Sequence, residues 1–289
     1  SEIEHNSPFL STIEFAKKWQ IPREVIPREV DGSIDLAEID FRNALVVMNA
    51  VNNFDASKME NLHDVAKAIH KQGGIFIVDA AQTLGFYSEW FCGQLKGVGA
   101  DAICFSSHKM YGPSLGVMVV RKSLLDKIEN NFVGGGMVDD AQGDTYILSG
   151  RSNPSEHVHT IFEPGLQLYG EIIGLGAAIK FVKSRSTSDY GRVDLVAAKI
   201  FDFLKSRESS GTHMINLSPT STISFYSDKI NGHLLADALS DAGVMTRSGY
   251  FCCHNYLDHV KHYPPLIRLS LSFANTEQDA NKLIATLER

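Results

Sequence analysis

The chain has 289 residues, 44% hydrophobic and 21% charged, which is enough apolar material for one large packed domain or two smaller ones. Its formal net charge of −7 argues against a nucleic-acid or anionic-membrane surface, and no apolar run approaches the ~20 residues of a membrane span. The four cysteines, Cys92, Cys104, Cys252 and Cys253, follow no disulfide-framework spacing and no signal peptide opens the chain, so a reducing, cytoplasmic setting is the expectation. Ser1 to His5 reads as mid-domain sequence, and further sequence is expected ahead of it.

In chain order, Ala44–Met48 is a short apolar run, and Met59–Lys71 has helical periodicity that stops at Gly73-Gly74. Ile75–Val78, Ala102–Phe105 and Gly116–Val120 are further apolar runs too short for helices. Such runs, separated by helical segments, predict strands buried on both faces and hence a mostly parallel central sheet with flanking helices over residues 1–183. Gly170–Val182 reads as a closely packed helix, and Lys183–Ser188 as a polar linker. Beyond it come a helix at Val193–Lys205, a strand at Thr222–Tyr226, a helix at Gly232–Ala242, strands at Val244–Thr246 and Ile267–Leu271, and a closing helix at Thr276–Leu287. These predict a smaller C-terminal α+β domain over residues 184–289.

The chemistry-bearing residues follow the apolar runs. Ile75–Val78 ends in Asp79-Ala80-Ala81-Gln82, and Ala102–Phe105 ends in Ser106-Ser107-His108-Lys109. In open parallel sheets functional groups gather past the carboxyl ends of strands, so Asp79 and Lys109 are expected at one sheet edge. A lysine there serves as nucleophile, as phosphate ligand or as plain surface charge, and an Asp there often only caps a helix. Together they suit pyridoxal 5′-phosphate, the lysine forming the Schiff base and the carboxylate keeping the pyridine nitrogen protonated. Arg268 interrupts an apolar strand and there needs an anion. Cys252, Cys253, His254, His259 and His262 fit no regular zinc-ligand spacing, and no metal is expected. Gly134-Gly135-Gly136 fits a mobile loop over the site better than a phosphate cradle.

The segments VDAAQT, FSSHKMYGP, VGGGMVDD and RSGYFCC, in this order, resemble the class V aminotransferase group of fold-type I enzymes, in particular its cysteine desulfurase and selenocysteine lyase-like branch. The resemblance runs from SEIEHNS to IRLSLSFANT, nearly the whole chain. It implies that Lys109 is the Schiff-base lysine, Asp79 the pyridine-nitrogen partner, Gln82 the donor to the phenolic oxygen and His5 the ring that stacks on the cofactor. It implies Ser106 and His108 as phosphate ligands, Asn53 near the substrate amine and carboxylate, and Arg268 as the clamp on the substrate carboxylate. The frame Arg247-Ser248-Gly249-Tyr250-Phe251-Cys252 matches the loop whose cysteine takes sulfur from substrate cysteine and becomes a persulfide, with Arg247 or a histidine as the cation that favours its thiolate and Arg247 also expected at the substrate. The resemblance also implies a homodimer, a small amino-acid substrate and a sulfur-acceptor protein.

Two departures qualify the match. The family's N-terminal Gly/Thr phosphate loop is absent, so a fragment or an incomplete phosphate site is expected. Leu166 stands where desulfurases often place a threonine that reaches the neighbouring subunit. The alternatives are another class V reaction, such as transamination, epimerisation or a different lyase step, and an inactive fragment.

Overall fold

The structure, a computed structural model, describes residues 1–129, 133–149 and 158–288. Its first part runs α1 (Asn6–Trp19), β1 (Leu45–Asn49), α2 (Leu62–Lys71), β2 (Ile75–Asp79), α3 (Ser88–Gln94), β3 (Ala102–Ser106), β4 (Gly116–Val120) and α4 (Lys122–Leu125). A hairpin, β5 (Val138–Gln142) and β6 (Thr145–Leu148), and a short helix, α5 (Val158–Phe162), lead to α6 (Tyr169–Lys183). The C-terminal part holds α7 (Thr187–Ser206), β7 (Thr212–Met214), β8 (Thr222–Ser227), α8 (Gly232–Asp241), β9 (Arg247–Gly249), β10 (Leu266–Ser270) and α9 (Glu277–Leu287). Among the described residues no helix is long and apolar enough to cross a membrane.

The N-terminal sheet has four strands in the order β1-β2-β3-β4. β1, β2 and β3 are parallel, and β4 runs antiparallel to β3. The reversal has a local cause: only residues 107–115 join β3 to β4, too few for the dozen or more that a parallel crossover needs. The expectation of strands buried on both faces is corrected. Val46, Met48, Phe76 and Val78 point into a core closed by α2 through Val65, Ala66 and Ile69. Their neighbours Leu45, Val47 and Ile77 point to the opposite face, where with Met118 they line an open cavity. An apolar run records that neither side of a strand is polar; it does not record whether both sides are covered.

The C-terminal part is an α+β unit with an antiparallel sheet of order β7-β8-β10-β9. The expected strand at Val244–Thr246 is absent. α8 ends in a Schellman turn, with Val244 N–H donating to Leu239 O and Gly243 N–H to Ser240 O, both at 2.8 Å, and Gly243 at φ +73°. Residues 244–246 carry the chain away from that turn, and pairing begins at Arg247, opposite Arg268. The supposed linker is shorter than expected, because Ser186 already caps α7 in a capping box with Asp189.

Candidate active site

Asp79 is the last residue of β2, in register with Asn49 of β1 and Cys104 of β3. One strand further, Ser106 ends β3 and a single 3₁₀ turn, Ser107–Met110, carries Lys109. Ser107 N–H donates to Leu115 O (2.8 Å) and Gly112 N–H to Ser107 O (2.9 Å), which closes the turn onto the start of β4. Two glycines permit this packing. A Cβ on Gly112 would fall 2.0 Å from Ser107 Oγ, and one on Gly85 would lie 3.0 Å from the Lys109 carbonyl oxygen. A cavity of about 720 Å³ opens over these strand ends, and His5, Asn53, Asp79, Gln82, Ser106, His108 and Lys109 all line it.

His5 is the N-cap of α1. Its Nδ1 accepts from Ser7 N–H at 3.0 Å, with Ser7 Oγ at 2.9 Å. A backbone N–H only donates, so Nδ1 carries no proton while the cap holds, and the proton of the neutral ring sits on Nε2. Burial pushes the His5 pKa down, and the Lys109 and Arg268 charges push it the same way.

The C-terminal part reaches the rim of this cavity at Asn53. Arg268, in the middle of β10, donates from Nη1 to Asn53 O (3.0 Å), and its guanidinium lies 4.8 Å over the Phe251 ring. Its Nε is buried and has no hydrogen-bond partner among the described residues. One edge of the guanidinium is therefore committed and one face covered, while the edge carrying Nε remains for an anion. Between β9 and β10 the turn at Phe251 and Cys252 is left-handed at both residues, with φ of 48° and 59°. Asn53 Nδ2 donates to Phe251 O (2.7 Å) and Asn6 N–H to Cys252 O (2.5 Å). These bonds tie the turn to the loop after β1 and to the start of α1. Cys252 is exposed, and Phe251, beside it on the turn, lies under the Arg268 guanidinium.

The charges at the site oppose one another in a useful way. Burial pushes the Asp79 carboxyl above its usual range, while the Ala81 N–H (2.8 Å from Oδ1) and the Lys109 charge pull it back. Burial pushes the Lys109 ammonium below its usual value, against the attraction of Asp79, and the Arg268 charge adds to the fall. Each group gains from a partner of opposite charge, and a lowered lysine pKa makes its free amine more available as a nucleophile. Arg268 is disfavoured as a bare cation by burial and by Arg247 on the adjacent strand. The residue types fit pyridoxal 5′-phosphate: a carboxylate for the pyridine nitrogen, an amine for the aldehyde, an imidazole for the ring face, and Ser106 and His108 as polar groups for the phosphate.

Residues 1–283 match the family Aminotransferase class-V. The chain belongs to that family. Among curated relatives, a probable cysteine desulfurase of Pyrococcus abyssi is 27% identical over 292 residues, covering 99% of this chain and 70% of its own length. A cysteine desulfurase of Enterobacter sp. (strain 638) is 26% identical over 300 residues, covering 100% of this chain and 70% of its own. Among solved structures, the apo cysteine desulfurase of Thermococcus onnurineus NA1 superposes with a TM-score of 0.85 at 25% identity, over 100% of this chain and 70% of its own. Membership of the class V aminotransferase family supports an enzyme that uses pyridoxal 5′-phosphate.

Of the residues singled out in the sequence, Arg247, Cys252 and Arg268 do not line the cavity; Arg268 meets its rim at Asn53, Cys252 sits on the turn that Asn53 ties, and Arg247 is exposed and acts on Arg268 through its charge. Gly134–Gly136, expected as a loop over the site, is anchored locally to residues 164 and 165. Gly165 N–H donates to Gly135 O (2.7 Å), a Cβ on Gly134 would meet Pro164, and none of the three lines the cavity. Sequence reasoning missed Asn6, because the left-handed residues of the turn that it ties carry no Gly or Asn signal. It also missed Cys104, which strand alternation from Ser106 places on the cavity face.

Proposed function

We propose that this class V enzyme is a cysteine desulfurase-like lyase that converts cysteine to alanine and keeps the released sulfur as a persulfide on Cys252, or converts selenocysteine to alanine with selenium released in its place. The observation that supports it most is the tied left-handed turn, which presents an exposed cysteine next to Phe251, the residue under the Arg268 guanidinium. A transaminase or epimerase needs no nucleophile there.

When bound, pyridoxal 5′-phosphate supplies the electron sink for charge developing at the substrate Cα. Asp79 would face its ring nitrogen, Gln82 its phenolic oxygen, His5 its ring face, and Ser106 and His108 its phosphate. Lys109 offers the amine that bonds the cofactor and, once displaced by substrate, a base for the Cα proton. Arg268 takes the substrate carboxylate on its Nε edge, with Asn53 beside it. His5 acts as an Nε2–H donor and ring partner while its cap is intact, since Nδ1 is occupied. The Cys252 thiolate attacks the substrate sulfur; a sulfur–sulfur bond forms, the Cβ–S bond breaks, and its electron pair stays with the three-carbon fragment. Protonation of that fragment gives alanine. Cysteine and a protein thiol thus become alanine and a protein persulfide, with no external oxidant. A dimer formed through the exposed Leu166 and Ile173, near the start of α6, and a separate thiol protein as sulfur acceptor belong to the same proposal.

The test is incubation with cysteine, quantifying alanine and mapping persulfide by peptide mass. Cys252→Ala should lose both while retaining cofactor absorbance. Undiminished alanine release by that variant would shift the reading to another class V reaction.

A further inference from the structure

Two cysteines stand side by side at the turn, and the reaction proposed above uses only the first. Cys253 is fully buried, with Sγ 2.8 Å from Asn53 Oδ1. The other end of the Asn53 carboxamide, Nδ2, lies 2.7 Å from the Phe251 carbonyl. A carbonyl oxygen accepts and never donates, so Nδ2 must face Phe251. Oδ1 is then left facing Cys253, whose thiol must be the donor. Burial pushes the Cys253 thiol pKa far up, and Glu4 and Cys252 act in the same direction, so the donor proton stays in place. The amide is thereby oriented from both ends. The turn needs that orientation, because two consecutive left-handed residues with side chains are strained and persist only where surrounding contacts over-determine them.

We infer that Cys253 is a positioning residue: its S–H orients the Asn53 carboxamide, which clamps the Phe251 carbonyl and so holds the left-handed turn that presents Cys252. The inference rests on Cys252 being the sulfur nucleophile for its functional meaning, and on the hydrogen bonds alone for its structural meaning. Cys253 itself takes no part in sulfur transfer, since it is sealed from solvent. The two adjacent thiols divide the work, one held as an inert donor and one left exposed.

Cys253→Ala and Cys253→Ser, as full chains with cofactor bound, test this. Ser keeps a donor to Asn53 Oδ1 and Ala removes it. Amide hydrogen exchange should speed up at least tenfold in the Ala variant at Asn6, which bonds Cys252 O, and at Cys253, which bonds Tyr250 O. The Ser variant should stay within twofold of wild type. Steady-state alanine release should show kcat lowered about tenfold in the Ala variant with KM for cysteine within twofold, and recovery in the Ser variant. Should the Ala variant not fold, the equally shaped pair Cys253→Thr and Cys253→Val makes the same comparison, the Thr hydroxyl alone supplying the donor. Equal exchange in the donor and donor-less variants overturns the inference. Wild-type protein that releases no alanine from cysteine overturns the desulfurase reading instead, and the exchange data still decide the role of Cys253.

Discussion

Asp79 and Lys109 stand where the backbone hydrogen bonds of a parallel sheet run out, on β2 and on the short turn after β3. Cys252 stands on a turn whose two residues at positive φ are ordinary side-chain-bearing residues, held by bonds from Asn53 and from Asn6. Those partners lie about two hundred residues or more away in sequence. The first arrangement is maintained by its own strands. The second is maintained by a different part of the chain. A reactive group on a strand end is therefore sensitive mainly to its own replacement, while one on a tied turn is sensitive to distant residues that never touch substrate.

The largest expected effect lies on the strand side. Lys109→Ala should lower turnover by orders of magnitude, as loss of a covalent nucleophile does. Borohydride reduction and peptide mapping of the wild type should place the cofactor label on Lys109; label on another lysine would break the comparison at its rigid end. Asp79→Asn should come next, lowering kcat by about 10²-fold, the scale of losing one preorganised electrostatic contact. Much of the cofactor should remain bound and visible by absorbance, and near-normal turnover would remove the role assigned to that carboxylate.

On the side of the tied turn, Arg268→Lys should raise KM for the amino acid by roughly 10- to 100-fold with a smaller change in kcat, since it loses the planar fork and one or two hydrogen bonds to a charged group. An unchanged KM would mean that the buried Nε edge does not receive the carboxylate. The smallest effect concerns His5. Its folded-state pKa lies below the ordinary 6.5, so the unfolded chain binds the proton more readily. The cap's contribution is complete above the unfolded value and is lost as pH falls from there through the folded value. His5→Asn keeps an N-cap acceptor without the titration. As pH falls below about 6.5, its stability in chemical denaturation should drop less than that of wild type. Parallel curves would show that the Nδ1 cap does not govern the ring.

The strand ends were legible in the sequence for a physical reason. Ile75–Val78 and Ala102–Phe105 are short apolar runs that stop at polar residues, and a parallel strand that stops delivers its next residues to a known edge. Arg268 was legible because a cation inside an apolar strand needs an anion. The turn itself was not. Phe251 and Cys252 have no intrinsic preference for positive φ, and their conformation comes from partners that no local pattern connects to them. Cys253 gave no signal at all, because its function depends on which end of the Asn53 amide faces it. The resemblance had pointed to Asn53 as a residue near substrate; the structure shows both ends of its carboxamide also engaged with the turn.

The sequence by itself determined the period and length of the strands, the residue types at their ends, and the pairing of a carboxylate with a lysine suited to one cofactor. These are properties of local chain stiffness, side-chain alternation and solvation, which act over a few residues. Only the tertiary structure decided that β4 reverses, that one face of the N-terminal sheet opens onto the cavity, and that β10 brings Arg268 against Asn53 in the loop after β1. It also decided which of two neighbouring cysteines is exposed. Burial and amide orientation are set by contacts across the whole chain, and adjacent residues of identical type acquire opposite chemistry when only one of them is enclosed.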